Sequence, residues 1–286
     1  MGKVWFIGAG PGAPDLLTLR GAKLIGEADV VIWARSLVNE DVLEHARAGA
    51  EIFESTTIPL EGVRELYERA LAEDLKVARI HSGDPSIYGA VMEQIELCEE
   101  LGLEWEIVPG VSSLGAAAAA IGRELTVPEV SQSVILARQE GEATGSGVDD
   151  EAHPRSSPVI LTRRASRTPM PEGEDIRSFA AHGTTMAIFL SAARPRALQQ
   201  ELLEGGYSPD TPCAVVYRAS WPDERVIECP LEELADRIRE AGFTRQALIL
   251  VGPGLGVGGT RSHLYSPGFS HMFRQAKPEE EGSDAS

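Results

Sequence analysis

The sequence predicts an α/β protein made of two α/β domains, and three observations support this fold class. Short apolar runs of strand length alternate with amphipathic stretches over the first 130 residues. Glycine-rich turns follow three of these runs, and a second alternating set occupies residues 183–255. Strands separated by helices are typical of a parallel sheet that is covered on both faces.

The elements of the first predicted domain, residues 1–130, follow from this alternation. Strands are predicted at 3–7, 29–34, 76–80 and 104–108, and helices at 60–74, 86–101 and 112–121. The helix at 60–74 has the clearest pattern, because its apolar residues recur at i, i+3, i+4, i+7 and i+8: Val63, Leu66, Tyr67, Ala70 and Leu71. That spacing places them on one helical face.

The second predicted domain, residues 183–255, has strands predicted at 185–190, 213–219, 225–229 and 246–251 and helices at 195–204 and 231–241. Residues 131–182 include a long stretch rich in Gly, Ser, Pro and charge, which predicts a linker. This linker holds a partial repeat, SVILAR at 133–138 and SPVILTR at 157–163, of which either copy could supply a strand. Residues 256–286 lack periodicity and predict a disordered tail.

The composition limits the partners. Acidic residues outnumber basic ones 44 to 26, for a formal net charge of -18, so the surface repels nucleic acid and anionic membranes. Such acidity fits either a protein from a salt-rich environment or an ordinary acidic enzyme. Cys98, Cys213 and Cys229 are too irregularly spaced for a disulfide framework or a zinc site. No apolar run has the form of a signal peptide or a membrane span, which predicts a cytoplasmic protein.

The first glycine-rich turn, GAGPGA at residues 8–13, is one spelling of the dinucleotide-binding fingerprint. Two features oppose an NAD site. Asp29 has the spacing of the ribose-binding acid but begins the second strand instead of ending it. Pro11 and Pro14 remove backbone donors that a pyrophosphate would need. A structural turn is favoured over an NAD site, and both interpretations stay open.

Two further turns, GDPSIYG at 83–89 and PGVSS at 109–113, also follow predicted strands. Asp84 could accept hydrogen bonds from a ligand or cap the next helix, and the same two roles are available to Ser112 and Ser113. Open parallel sheets bind ligands at the carboxyl ends of their strands, so the three turns together predict a ligand cleft.

These three turns and the stretch LTVPEVSQSVI at 125–135 resemble the tetrapyrrole (corrin/porphyrin) methylase family, over residues 3–253. The resemblance implies two α/β domains with S-adenosylmethionine in the cleft between them. It implies cofactor contacts at Pro11, Ser82, Gly83, Asp84, Ile87, Tyr88, Ser112, Ser113, Leu190, Tyr217 and Ala219. Leu190 and Tyr217 could equally be core residues.

Within the family, SLV at 36–38, PEVSQ at 128–132 and MPEGED at 170–175 most resemble the branch that methylates C11 of precorrin-4, with or without cobalt. This resemblance implies S-adenosylmethionine-dependent C-methylation of a corrin precursor in cobalamin biosynthesis. It also implies S-adenosylhomocysteine as product, no protein-bound metal and a homodimer. Residues 139–160, which include part of the repeat, depart from the family pattern.

The implied substrate carries many carboxylates, so arginines must offset the acidic surface around it, and their planar fork suits carboxylates. The substrate-binding candidates are Arg20, Arg35 and Arg123, with a further group at Arg138, Arg163 and Arg164. His81 lies beside the second turn and is either a base that removes a proton or a structural residue, so no catalytic residue is assigned.

Other functions stay open at this point. Sister reactions are the methylation of uroporphyrinogen III, of another corrin position, or of a translation factor in diphthine synthesis. Outside this family, the alternatives are an NAD-dependent oxidoreductase, which rests on the first turn alone, and a non-catalytic tetrapyrrole carrier.

Overall fold

A computed structural model describes residues 2–140, 170–256, 269–270 and 272–275. In this part of the chain the strands form two five-stranded sheets, here called sheet 1 and sheet 2. Helices connect and cover the strands of both sheets. The predicted α/β fold class is therefore confirmed.

Sheet 1 contains β1 (Lys3–Gly8), β2 (Val30–Trp33), β3 (Glu51–Glu54), β4 (Lys76–His81) and β5 (Glu104–Val108). The strand order is β3-β2-β4-β1-β5, and all neighbouring strands are parallel. Its helices are α1 (Leu19–Glu27), α2 (Leu60–Ala72) and α3 (Met92–Leu101). Phe6 and Ile32 pack towards α2 and α3, and Trp5 and Val31 towards α1. The strands are apolar on both sides because helices bury both faces of the sheet.

Three elements of this half differ from the sequence prediction. Helix α3 begins at Met92 and not at residue 86, because Tyr88 and Ala90 have φ angles of 54° and 48°, which an α-helix does not accommodate. Helix α1 is not among the predicted elements, because its two glycines lower its helix propensity. Strand β3, a short edge strand of sequence EIFE, is also absent from the prediction.

Sheet 2 contains β6 (Val134–Arg138), β7 (Thr185–Phe189), β8 (Pro212–Tyr217), β9 (Arg225–Pro230) and β10 (Ala247–Val251), in the order β6-β7-β10-β8-β9. The β6–β7 pair is parallel, and the other pairs are antiparallel. Helices α5 (Ile176–Ala180), α6 (Pro195–Glu204) and α7 (Leu234–Ala241) form one core with this sheet. Helix α4 (Ser113–Ala120) joins a separate core with sheet 2, in which Ala117 lies with Ala187 and Leu250.

Strand β6 and helix α5 lie inside residues 131–182, the segment predicted to be a linker. Since β6 pairs with β7 along its whole length, these five residues are part of sheet 2 and not of a linker. The second repeat copy at 157–163, Arg163, Arg164, the 139–160 segment beyond residue 140, and most of the predicted tail lie outside the described residues. The domain boundaries stay a prediction. None of the described helices is both long and apolar enough to cross a membrane.

Candidate functional site

A cavity of about 500 Å³ lies between the carboxyl-end loops of sheet 1 and the loops of sheet 2. Its lining includes ten of the eleven residues that the resemblance assigns to the cofactor: Pro11, Ser82, Gly83, Asp84, Ile87, Tyr88, Ser112, Ser113, Leu190 and Ala219. The turns that follow β1, β4 and β5 therefore meet at one cavity, which is the expected ligand position in an open parallel sheet.

Three glycines bring the ends of β1, β4 and β5 into direct contact. A Cβ atom on Gly110 would lie 2.1 Å from the carbonyl oxygen of Gly83, and one on Gly8 would lie 2.6 Å from the Cα atom of Gly110. The Gly83 N–H also donates to the Gly10 carbonyl at 2.8 Å. Backbones can approach this closely because glycine has no side chain.

Asp84 ties two of these turns together. One carboxylate oxygen accepts the Ser86 N–H at 2.8 Å, and the other accepts the Gly110 N–H at 2.8 Å. Of the two predicted roles, a cap of helix α3 is wrong, since α3 begins only at Met92. Each oxygen keeps acceptor capacity for a ligand, because a carboxylate oxygen has more than one lone pair. Ser112 does cap a helix, because its hydroxyl accepts the Leu114 N–H at the start of α4.

Non-glycine residues with a left-handed backbone cluster at the same cavity. Tyr88, Leu190, Arg218 and Gln246 line it, with φ angles of 54°, 54°, 47° and 53°. Such conformations cost about 1–3 kcal/mol each and collect at functional sites. The Leu190 side chain is 76% exposed, so the alternative that it is a core residue is wrong.

Tyr217 does not line the cavity. Its ring stacks on Phe243 at 4.6 Å between centroids, and the Arg225 guanidinium lies 5.1 Å from the ring. Successive side chains of a strand point to opposite faces, and Val216 on β8 takes the cavity side. The partly buried ring packs against the core of sheet 2, which favours the core interpretation, and a cofactor contact at Tyr217 would have to come from its backbone.

The predicted substrate arginines are not gathered at the cavity. Arg20 is exposed on α1, and Arg123 lines a separate cavity of about 320 Å³. Arg35 is exposed beside Glu40, and it immediately precedes two lining residues, Ser36 and Leu37.

Two other arginines, Arg218 and Arg245, line the cavity and were missed in the sequence. Arg218 directly follows β8, so the strand-end rule that identified the first three turns could have found it. Arg245 precedes β10, where no sequence pattern marks it.

His81 is 8% exposed and does not belong to the cavity lining. Its pKa is lowered to about 3, first by burial and then by the nearby positive charge of Arg79, while a hydrogen bond with the Gly89 backbone acts in the opposite direction. Its ring instead contacts Phe6 in the core of sheet 1, at 6.0 Å between centroids. This environment favours the structural role of His81 over that of a base.

Among the described residues, three hydrogen bonds join the two halves at the cavity. The Ala13 N–H donates to the Ser220 hydroxyl at 2.9 Å, and the Trp221 indole N–H donates to the Pro11 carbonyl at 3.0 Å. The Gln246 side-chain amide donates to the Ser36 carbonyl at 2.8 Å. The first glycine-rich turn thus uses its own polar groups within the protein, which further opposes a pyrophosphate cradle.

The described residues contain no group of three or more His, Cys, Asp or Glu side chains that could hold a metal ion. The three cysteines are free thiols in this structure, and burial raises the pKa of each of them. Neutral buried thiols are poor nucleophiles, so the cysteines offer no covalent chemistry at the cavity.

Comparison with known proteins identifies relatives across nearly the whole chain. The family described as Tetrapyrrole (Corrin/Porphyrin) Methylases matches residues 3–235. The cobalt-precorrin-4 C(11)-methyltransferase of Methanocaldococcus jannaschii is 44% identical over 275 residues, covering 96% of both chains.

Two solved structures share this architecture. A cobalt precorrin-4 methyltransferase of cobalamin biosynthesis has a TM-score of 0.78 at 40% identity, covering 89% of this chain and 96% of that one. A uroporphyrin-III C-methyl transferase from Thermus thermophilus, complexed with S-adenyl homocysteine, has a TM-score of 0.69 at 30% identity, covering 91% and 96%.

Proposed function

Because the chain belongs to the tetrapyrrole methylase family, we propose that it transfers a methyl group from S-adenosylmethionine to C11 of precorrin-4 or its cobalt form, in cobalamin biosynthesis. The observation that carries this proposal is the single cavity that collects ten of the eleven expected cofactor residues. Its relatives named for this reaction support the choice of C11.

The cavity fits the cofactor in size and character. Its volume of about 500 Å³ lies in the range of small-molecule sites. Ile87, Leu190, Ala219 and Leu248 give it an apolar wall, and the Gly83 turn lets a ligand reach the backbone.

Methyl transfer of this kind needs no covalent intermediate on the protein. When bound, the sulfonium supplies an activated methyl group, so that its C–S bond breaks as the new C–C bond forms and S-adenosylhomocysteine leaves. The protein's part is to align the two reactants and exclude water, which contributes about 7–11 kcal/mol in favourable cases. The tightly packed turns at Gly8, Gly83 and Gly110 provide a rigid wall for that alignment. We assign no residue to proton removal from the macrocycle.

The substrate's carboxylates need cations close to the cavity, since the net charge of -18 repels them. Arg218 already pairs with Asp223 at 2.7 Å, so Arg245, which is exposed at the lining, is the stronger candidate. Arg35 stays a candidate for substrate binding because it directly precedes the lining residues Ser36 and Leu37. Arg20 and Arg123 are no longer candidates, because neither lines this cavity or adjoins its lining.

Calorimetric titration with S-adenosylhomocysteine and with NAD tests the cofactor. Binding of the first without the second supports the proposal, and the opposite result replaces it with the oxidoreductase. Mass spectrometry of products from labelled S-adenosylmethionine and precorrin-4, with and without cobalt, then tests the acceptor.

If the methyl group went to uroporphyrinogen III or to another corrin position, the proposed acceptor would be wrong and the proposed methyltransferase activity would remain. Bound pigment without methyl transfer would support the carrier. A homodimer and a cytoplasmic location stay predictions, and light scattering of the purified protein tests the first.

A further inference from the structure

Residues 218–224, which follow β8 of sheet 2, dock on the loop of residues 10–13, which follows β1 of sheet 1. Two of the hydrogen bonds between the halves lie here, one from Trp221 to the Pro11 carbonyl and one from Ala13 to Ser220. The partners are separated by more than 200 positions in the sequence. This contact therefore exists only when both halves are folded against each other.

The indole of Trp221 lies directly on Gly12. A Cβ atom at residue 12 would be 2.1 Å from Cδ1 and 2.3 Å from Nε1 of the indole, far inside contact distance. Glycine is required at this position because the ring occupies the space of a side chain. The rigid indole cannot fold away as a flexible side chain would, so any added atom must separate the two segments.

The sheet 2 side of this contact is itself held in place. The Arg218 guanidinium lies over the indole at 4.1 Å from the ring centroid, and Asp223 holds that guanidinium by an ion pair. Arg218 and Ser220 both have left-handed φ angles, of 47° and 66°. The segment is thus a rigid support for the ring.

Two walls of the cofactor cavity are attached to this contact. Pro11 lines the cavity and accepts the indole hydrogen bond, Ala219 lines it two residues before Trp221, and Trp221 is itself part of the lining. A shift of the indole changes the separation of these two walls.

We propose that Trp221 is a positioning residue: it holds the 10–13 loop against sheet 2 and so sets the width of the cavity in which the cofactor binds. The proposal rests on the function proposed above only for the identity of the ligand. Because Trp221 also lines the cavity, the Gly12→Ala variant, which keeps the indole and disturbs only its contact with the 10–13 loop, separates positioning from direct contact with the ligand.

The test compares Trp221→Phe, Trp221→Ala, Gly12→Ala and the double variant Gly12→Ala/Trp221→Ala. S-adenosylhomocysteine affinity is measured by calorimetry at a temperature where near-ultraviolet circular dichroism shows each variant folded. Trp221→Phe should bind S-adenosylhomocysteine about 5-fold more weakly, because it lacks the neutral hydrogen bond from the indole to the Pro11 carbonyl. Gly12→Ala should bind about 50-fold more weakly, because the added methyl overpacks the contact.

The double variant gives the decisive result. Removing the indole makes room for the methyl group added at residue 12, so the pair should bind about tenfold better than Gly12→Ala alone, as expected for residues in direct contact. The matched control is Gly115→Ala, where a Cβ atom meets nothing within 4 Å, and its affinity should equal that of the wild type. The KM for S-adenosylmethionine should follow the same order, with a smaller change in the KM for the tetrapyrrole.

A residue that only stabilised the fold would lower the melting temperature of its variants and leave the affinity of the folded protein unchanged. That outcome, or a double variant no better than Gly12→Ala, would overturn the proposal. If the wild type itself does not bind S-adenosylhomocysteine, the proposed function fails first, so the two failures are distinguishable.

Discussion

The two halves of the molecule build their sides of the cavity in different ways. Sheet 1 uses glycines, and the ends of its strands touch because Gly8, Gly83 and Gly110 have no side chains. The sheet 2 side contributes three of the four left-handed non-glycine residues in the described lining, Leu190, Arg218 and Gln246, and the fourth, Tyr88, follows β4 of sheet 1. The close backbone contacts therefore lie on the sheet 1 side, and most of the strained backbone lies on the sheet 2 side.

The strained residues of sheet 2 lie where neighbouring strands restrain the backbone. The antiparallel pairs of sheet 2 and the hydrogen bond from the Arg218 N–H to the Gln246 carbonyl, at 2.8 Å, hold both residues in unfavourable φ regions. Strain of this kind persists when surrounding contacts over-determine the conformation. The Arg218 and Gln246 side chains are used within the protein, on Asp223 and the Ser36 carbonyl, whereas Leu190 is exposed at the cavity and available to a ligand.

The largest effect is expected at the glycine contact. In Gly110→Ala the new Cβ atom would lie 2.1 Å from the Gly83 carbonyl oxygen and 2.7 Å from the Gly8 Cα atom, and both are backbone atoms that cannot rotate away. We expect a loss of about 1–3 kcal/mol in the free energy of unfolding and at least a 100-fold weaker S-adenosylhomocysteine affinity, on the order of 3 kcal/mol. Urea unfolding and calorimetry measure the two.

Gly115→Ala is the control for a new methyl group: its S-adenosylhomocysteine affinity should stay unchanged, and its free energy of unfolding should not fall, because alanine favours the α4 helix over glycine by about 1 kcal/mol. If Gly110→Ala bound the ligand as well as the control does, the strand ends of sheet 1 would not shape the cavity, and the contrast between the halves would fail.

The glycine side of the cavity could be predicted from the sequence, and much of the other side could not. The turns at Gly8, Gly83 and Gly110 are visible because residue type and strand-end position coincide. A left-handed φ at Arg218 or Gln246 has no such signal, because tertiary contacts impose it on residues that do not prefer it.

Two packing features were hidden for the same reason. The sequence shows two copies of one apolar pattern without indicating which supplies a strand, and residues 134–138 of the first copy form β6 by pairing with β7. Helix α4 follows β5 of sheet 1 in the chain, yet packs on sheet 2 through Ala117. Contacts between residues far apart in the sequence determine both features.

A smaller effect is expected at the strained positions of sheet 2. Leu190→Gly relieves left-handed strain of about 1–2 kcal/mol in the folded state. The greater conformational entropy of glycine stabilises the unfolded state by about 0.4–1 kcal/mol. The free energy of unfolding should therefore stay near that of the wild type. The lost apolar side chain, 76% exposed at the cavity, should weaken S-adenosylhomocysteine binding about tenfold, as burial of part of a leucine predicts.

Asp74→Gly is the matched control, because Asp74 has a similar φ of 59° and does not line the cavity. Its affinity for S-adenosylhomocysteine should equal that of the wild type. If both variants lost the same affinity, left-handed residues would act only through the stability of the fold, and Leu190 would have no specific role at the cavity.

A weaker effect is expected for Arg245→Ala. Its side chain is exposed at the lining, so solvent screens its attraction for a substrate carboxylate. The KM for the tetrapyrrole should rise about fivefold, roughly 1 kcal/mol, while S-adenosylhomocysteine affinity stays constant. The rise should shrink as salt is added.

Arg20→Ala removes a positive charge from the exposed face of α1, away from the cavity, and serves as the control for net charge. If both variants raised the KM equally, the effect would belong to the overall field of the acidic protein and not to a carboxylate contact on the sheet 2 side.

The smallest effect on catalysis is expected at His81, which sharpens the view that sheet 1 contributes backbone and not proton chemistry. The folded protein keeps this imidazole neutral until about pH 3 because burial lowers its pKa, whereas an unfolded chain protonates it near pH 6.5. Between these values the unfolded state binds more protons, so the free energy of unfolding falls as the pH falls, by up to about 1.4 kcal/mol per pH unit. His81→Gln should remove this part of the slope.

Methyl transfer by His81→Gln at pH 7 should stay within about twofold of the wild type, because general base catalysis would contribute roughly 100-fold or more. His182→Gln, at an exposed histidine after α5, is the control for removal of an imidazole and should leave the rate unchanged. Urea unfolding at several pH values and initial rates on the same preparations measure both quantities. If His81→Gln stayed folded but lost methyl transfer, His81 would be a proton acceptor, and the view that sheet 1 contributes only backbone to the site would be wrong.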